Sequence, residues 1–201
     1  MLQYINFLKL IFTAKILILT VINSHAQPAE VRWLDNINPN NGFNAVPKAI
    51  NNSAYIVSLS VPTFLMVKGF VKKNNQLKID GVKIVTALAV NTIITQSLKY
   101  SINRERPYEQ YPNLINAYQL ENGKSFPSGH TSTAFATATQ LSLLYKKWYV
   151  VVPAYTWAAT VGYSRLYLGE HYPTDVLAGA LVGTGSAFLS NWLSKKIFHQ
   201  K

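Results

Sequence analysis

Residues 131–164 read TSTAFATATQLSLLYKKWYVVVPAYTWAATVGYS, and this stretch decides the fold. Lys146 and Lys147 carry its only formal charges and divide it into Thr131–Tyr145 and Trp148–Ser164. Neither half alternates apolar and polar residues as a half-buried strand does, and both are long enough for helices. A helix on the surface of a soluble domain shows a charged face; these show none. Ala54–Val67, Ile84–Leu98 and Val176–Ser194 have the same character. The reading is an all-α helical bundle.

The chain around these stretches has 201 residues, room for one domain with a real core. Only 13% of them are charged and 49% are hydrophobic, whereas soluble domains carry roughly 25% charged residues. A spanning helix needs roughly 17–25 mainly apolar residues. The five stretches sit at the short end of that range, and the mean hydropathy is only +0.08. A soluble bundle is therefore the alternative to a membrane one. The lysines argue for the membrane. Lys68, Lys72, Lys73, Lys78 and Lys83 lie between the first two stretches, Lys146 and Lys147 between the third and fourth, and Lys195, Lys196 and Lys201 follow the fifth. By the positive-inside rule these places are cytoplasmic. Connections 99–130 and 165–175 then face outward, and the expectation is five transmembrane helices.

Lys9 and Lys15 precede or interrupt an apolar run that ends in Ser24-His25-Ala26-Gln27, a cleavage-site pattern. Residues 1–26 read as a signal peptide, or as a first membrane helix left uncleaved. Residues 27–53 read as a polar outward-facing segment, with the turn cluster Asn38-Pro39-Asn40-Asn41-Gly42. Residues 54–201 form the helical-bundle domain. There is no cysteine, so neither disulfides nor thiolate metal sites are available. The net charge of +11 is largely the topological lysine. No basic stripe is interleaved with aromatics, which leaves nucleic-acid binding without support.

The outward connections hold three clusters: Lys99 to Arg106-Pro107, Phe126-Pro127-Ser128-Gly129-His130-Thr131, and Ser164-Arg165 to His171 and Asp175. Lys99, Arg106 and Arg165 are cations at the ends of apolar helices, where charge is costly unless an anion meets it. Arg offers a planar fork suited to phosphate oxygens. Ser128-Gly129 precedes a helix start, whose N–H groups favour an anion. Asp175 follows His171 by four residues, one helical turn, close enough to fix an imidazole tautomer. Taken singly, each residue has a plainer reading. The cations are interface anchors, Ser-Gly is a cap, and Asp175 is a first-turn helix charge. Gathered on one side of the membrane, they are the parts of a phosphoryl-transfer site. Glu105 and Glu170, beside them, are given no role.

The three clusters resemble the signature of the type 2 phosphatidic acid phosphatase superfamily, which also includes bacterial acid phosphatases and vanadium haloperoxidases. That signature is Lys, six residues, Arg-Pro; Pro-Ser-Gly-His; then Ser-Arg, five residues, His, three residues, Asp. Every fixed position is present, across residues 99–175. The resemblance implies a metal-independent phosphatase with no cofactor. It implies His171 as the nucleophile that becomes phosphohistidine, Asp175 as its orienting partner and His130 as general acid, then base. Lys99, Arg106, Ser128, Gly129 and Arg165 would hold the phosphate oxygens. The implied partners are the bilayer and a lipid phosphate, a polyprenyl diphosphate or phospholipid phosphate first. The implied place is a bacterial-type inner membrane with the site facing the periplasm. A soluble periplasmic acid phosphatase of broad specificity is the alternative. A vanadate-dependent haloperoxidase and a non-catalytic anion-binding scaffold are further rivals. Oligomeric state is not legible.

Overall fold

A computed structural model describes residues 28–197, so the segment read as a signal peptide lies outside the described residues. Within them the chain is all-α. Helix α1 spans Pro28–Ile37, α2 Ala45–Val71, α3 Asn75–Ile102, the one-turn α4 Pro107–Gln110, α5 Gly129–Tyr145, α6 Trp148–Tyr167 and α7 Pro173–Ile197. The five uncharged stretches lie within α2, α3, α5, α6 and α7. Helix α1 and the first turns of α2 come from the polar segment 27–53.

The helix ends are set locally. Asn103 adopts the left-handed conformation (φ 56°) and returns its N–H to the Lys99 carbonyl, which ends α3. Asn tolerates that region better than most residues. Lys146 (φ 40°) ends α5 in the same way. Pro107 and Pro173 are the first residues of α4 and α7, where a missing N–H costs nothing. The short turns after α2 and α5 put Lys72, Lys73, Lys146 and Lys147 at one end of the bundle. The C-termini of α3 and α6 and the N-termini of α5 and α7 meet at the other end.

Small residues bring the helices together. Ala134, Ala136 and Ala138 of α5 are fully buried. A Cβ on Gly183 of α7 would lie 2.1 Å from the Ser132 carbonyl oxygen, and one on Gly179 would lie 2.7 Å from that of Ser128. The α5 and α7 backbones are thus nearly in contact, as small residues allow between helices in a bilayer.

Polar residues share the interior with a small apolar core of Ala54, Ala134, Ala138, Ala158 and Val161, while many large apolar residues face outward. Thr95 and Asn91 of α3 bond to the Ser132 hydroxyl at 3.1 and 3.3 Å, and Thr137 donates to Ser58 at 2.8 Å. Ile56, Phe64, Ile93, Leu177 and Leu181 are each more than 60% exposed. An apolar surface of this kind faces a partner or lipid more readily than water. Two helices are long and apolar enough to cross a bilayer: Ala45–Val71, mean hydropathy 1.6, and Pro173–Ser194, mean hydropathy 1.3. Only 28% of each apolar window is buried, so their side chains face outward. On composition the count is two among the described residues, where five were expected. Helix α5 is only 17 residues long, and buried Asn91 and Thr95 of α3 and Thr131, Ser132, Thr137, Thr139 and Gln140 of α5 lower the hydropathy of those two helices.

Gly183→Val should force α5 and α7 apart, at a cost of about 1–3 kcal/mol from overpacking. A Cβ on Gly185, two residues along, meets nothing within 4 Å. Thermal unfolding in detergent should therefore show a lowered Tm for Gly183→Val and an unchanged one for Gly185→Val. Equal behaviour of the two variants would contradict the close α5–α7 contact.

Candidate active site

The site is built where four helix ends converge. Lys99 occupies the last turn of α3, and its ammonium donates to the Lys124 carbonyl. The chain leaves α3 at Asn103, which places Arg106 at the start of α4. Arg106 is buried and each of its three nitrogens has a partner. Nε bonds the Gly123 carbonyl at 3.1 Å, Nη1 the Glu170 carbonyl at 3.0 Å, and Nη2 the Glu121 carboxylate at 2.9 Å. Arg165, in the last turn of α6, is fully buried. It donates to Asn51 of α2 and to Glu121 at 2.7 Å, and it lies against the Glu170 carboxylate. Its Nε, also buried, has no hydrogen-bond partner among the described residues.

Glu121 thus bridges two guanidinium groups, giving Oε2 to Arg106 and Oε1 to Arg165. Burial works against its charge, but the two arginines outweigh that and hold its carboxyl below the usual range. Burial pushes Glu170 up to about 8, and nearby Glu121 adds to this against the opposing pull of Arg165. Near neutral pH the pair carries less than two full negative charges.

His171 lies in the short connection between α6 and α7 and is 1% exposed. Its two nitrogens face different partners. Nε2 lies 3.4 Å from Arg106 Nη1, toward the cavity. Nδ1 lies 3.5 Å from Asp175 Oδ2 and 3.4 Å from the Ser125 hydroxyl. Burial, then the charges of Arg165, Arg106 and Lys99, hold the imidazole well below its ordinary pKa, so it is neutral at pH 7. Asp175, fully buried in the first turn of α7, accepts from Ser125 Oγ, from the Tyr172 N–H at 2.9 Å and from Arg104 at 2.7 Å. His130 is the second residue of α5, and its ring packs on Tyr55 at 4.5 Å between centroids.

Lys99, Arg106, Glu121, His130 and His171, with Gly129 at the α5 N-terminus, line one cavity of about 340 Å³. The other expected residues stand around it. Arg165 reaches the cavity region through Glu121, and Asp175 lies behind His171. The Ser128 hydroxyl is turned to the Thr131 hydroxyl at 2.9 Å. Five residues outside the expected set complete the geometry: Glu30, Arg104, Glu121, Ser125 and Glu170. Arg104 stands inside the Lys99–Arg106 stretch and was visible there as a further cation. Glu121 and Glu30 belong to no motif. Their proximity arises only from the packing of the helices.

Residues 80–198 match the PAP2 superfamily. A lipid A 4'-phosphatase of Bacteroides thetaiotaomicron is 29% identical over 146 residues, 68% of this chain and 65% of that protein. An undecaprenyl-diphosphatase of Sulfolobus acidocaldarius is 33% identical over 114 residues, 55% of this chain and 53% of that protein. The chain therefore spans under two thirds of the length of these curated relatives. The crystal structure of Aquifex aeolicus LpxE aligns with a TM-score of 0.62 at 29% identity, over 81% of this chain and 94% of that one.

An anion entering between Arg106 and Arg165 has to displace the Glu121 carboxylate. Glu121→Gln keeps the shape and removes the competing charge. It should bind orthovanadate more tightly, on the order of tenfold or about 1.4 kcal/mol, measured by calorimetry in detergent. Unchanged or weaker binding would show that the fork is not where the anion sits.

Proposed function

The chain belongs to the PAP2 superfamily, and from that premise we propose that it is a metal-independent phosphatase acting on a membrane lipid phosphate. One observation carries the reading. A carboxylate of the chain itself is gripped by Arg106 and Arg165, and His171 Nε2 lies 3.4 Å from the same Arg106. A phosphoryl group seated in that fork would present its phosphorus to the imidazole.

The chemistry follows from the residues. His171 is neutral, so the Nε2 lone pair is available when Nδ1 carries the proton. Asp175 favours that tautomer and stabilises the positive charge that grows on the ring during attack. The Nε2–P bond forms as the P–O bond to the leaving group breaks. His130 gives its proton to the leaving oxygen and later takes one from water, which cleaves the phosphohistidine. Lys99, Arg106 and Arg165 meet the charge on the equatorial oxygens. The first N–H groups of α5, which a helix leaves without carbonyl partners, assist at Gly129. Ser128 joins them if its hydroxyl turns away from Thr131.

The substrate is an amphiphile with a terminal phosphate or diphosphate, of the polyprenyl diphosphate or phospholipid phosphate class. The apolar outer faces of α2 and α7 support a site held at a bilayer surface rather than a soluble acid phosphatase. The lysines at the opposite end of the bundle support a cytoplasmic orientation for that end and a periplasmic one for the site.

His171→Ala should lower phosphate release from lipid phosphates by at least about 10³-fold, and EDTA should leave the wild-type rate unchanged. A panel of lipid and water-soluble phosphates, assayed with both proteins in parallel, checks this. Near-wild-type turnover in His171→Ala, or loss on chelation that a divalent ion restores, would overturn the reading.

A further inference from the structure

Glu30 lies on α1, outside the residues that match the superfamily, yet its carboxylate reaches the site. Oε1 accepts from the Thr174 N–H at 2.9 Å and from the Thr174 hydroxyl at 2.7 Å. Oε2 pairs with Arg104 Nη2 at 3.2 Å. Arg104 Nη1 in turn donates to Asp175 Oδ1 and to the Thr174 hydroxyl, each at 2.7 Å. The guanidinium carbon of Arg104 sits 3.8 Å from the centroid of the Tyr172 ring. These contacts fix the guanidinium on three sides.

We infer that Glu30 and Arg104 are positioning residues for the phosphoryl-transfer reaction, with Glu30 holding the Arg104 guanidinium against Asp175 and Arg104 keeping that carboxylate anionic behind His171. The inference rests on the phosphatase reading.

The argument is one of charge and geometry. Asp175 has no exposure, and a buried carboxylate without a cation takes up a proton rather than remain charged. Lys99, Arg106 and Arg165 direct their hydrogen bonds elsewhere, to the Lys124, Gly123 and Glu170 carbonyls, Asn51 and the Glu121 and Glu170 carboxylates. Arg104 is oriented the other way, and its bonds go to Asp175, Thr174 and Glu30. The remaining donors on Asp175, Ser125 Oγ and the Tyr172 N–H, occupy Oδ2, the oxygen that faces His171. Arg104 on Oδ1 therefore supplies the countercharge without competing for the His171 side. Glu30 also accepts the N–H of Thr174 in the first turn of α7, where a carboxylate meets the positive end of the helix. One residue thus orders both Arg104 and the helix start that carries Asp175.

A tether without a catalytic part would give a different kinetic signature from a positioning network. Glu30→Gln, Arg104→Gln, Arg104→Lys and the Glu30→Gln/Arg104→Gln double variant should be assayed in detergent on one lipid phosphate, with vanadate inhibition in parallel. Arg104→Gln should lower kcat by about 100-fold, the scale of a misplaced catalytic group, with KM and the vanadate inhibition constant within threefold of wild type. Arg104→Lys should recover part of the loss. Glu30→Gln should lose about tenfold in kcat, and the double variant should be no slower than Arg104→Gln alone. A kcat within twofold of wild type in both single variants would overturn the inference. So would a proportional rise in KM and in the vanadate constant, which marks a damaged fold. A second readout needs no turnover. In ¹⁵N-histidine-labelled protein, with His171 assigned through His171→Asn, the Nδ1–H tautomer should dominate in wild type and Arg104→Lys and be lost in Arg104→Gln. An unchanged tautomer in Arg104→Gln rejects the positioning role. Absence of phosphate release by wild type would instead reject the phosphatase reading.

Discussion

Two guanidinium groups buried at one end of a helical bundle share a single carboxylate. Arg106 stands just before α4 and Arg165 in the last turn of α6, and Glu121 is the anion both share. Buried cations without an anion are costly enough to pull a site open to water. With the carboxylate in place, the ends of α3 and α6 are held close, and His171 is enclosed beside them. The same grip that stabilises this end is the grip a phosphoryl group would use. Binding is then an exchange of one oxyanion for another, in a frame already arranged.

The frame depends on small residues as much as on charge. Gly179 and Gly183 let α7 lie against α5, and that contact sets Asp175 and His171 beside the start of α5. The Ser128 N–H bonds the Asp175 carbonyl at 3.0 Å, a direct link between the two helix starts. Polar side chains share the bundle interior with Ala54, Ala134, Ala158, Val161 and Ile84, while many large apolar side chains face outward. In a bilayer that arrangement pairs interior hydroxyls such as Thr95, Ser132, Thr137 and Ser58 with one another and leaves the apolar surface in hydrocarbon.

Much of this was legible in the residues. The uncharged stretches marked the long helices. The motif clusters pointed to Lys99, Arg106, Gly129, His130 and His171, which line one cavity. Three features were hidden. Glu121 lies in a connection with no periodicity, and only the folded chain sets it between the arginines. Glu30 meets Thr174 across 144 positions, a distance no local pattern spans. Ser125 stands between Asp175 and His171, so a pair expected from i, i+4 spacing is joined at 3.5 Å with a hydroxyl alongside. Of the five expected spans, two, α2 and α7, are long and apolar enough on composition among the described residues. The charge-free stretches share one pattern, but α5 is only 17 residues long and the interior of α3 and α5 carries buried Asn91, Thr95, Thr137 and Gln140.

The central claim is that His171 takes the phosphoryl group onto its own nitrogen. Rapid quenching of the protein with a ³²P-labelled lipid phosphate, followed by peptide mapping, tests it directly. The account predicts an acid-labile, alkali-stable label on the peptide that contains His171. Steady turnover with no protein-bound label at any quench time, or a label on another residue, would contradict it.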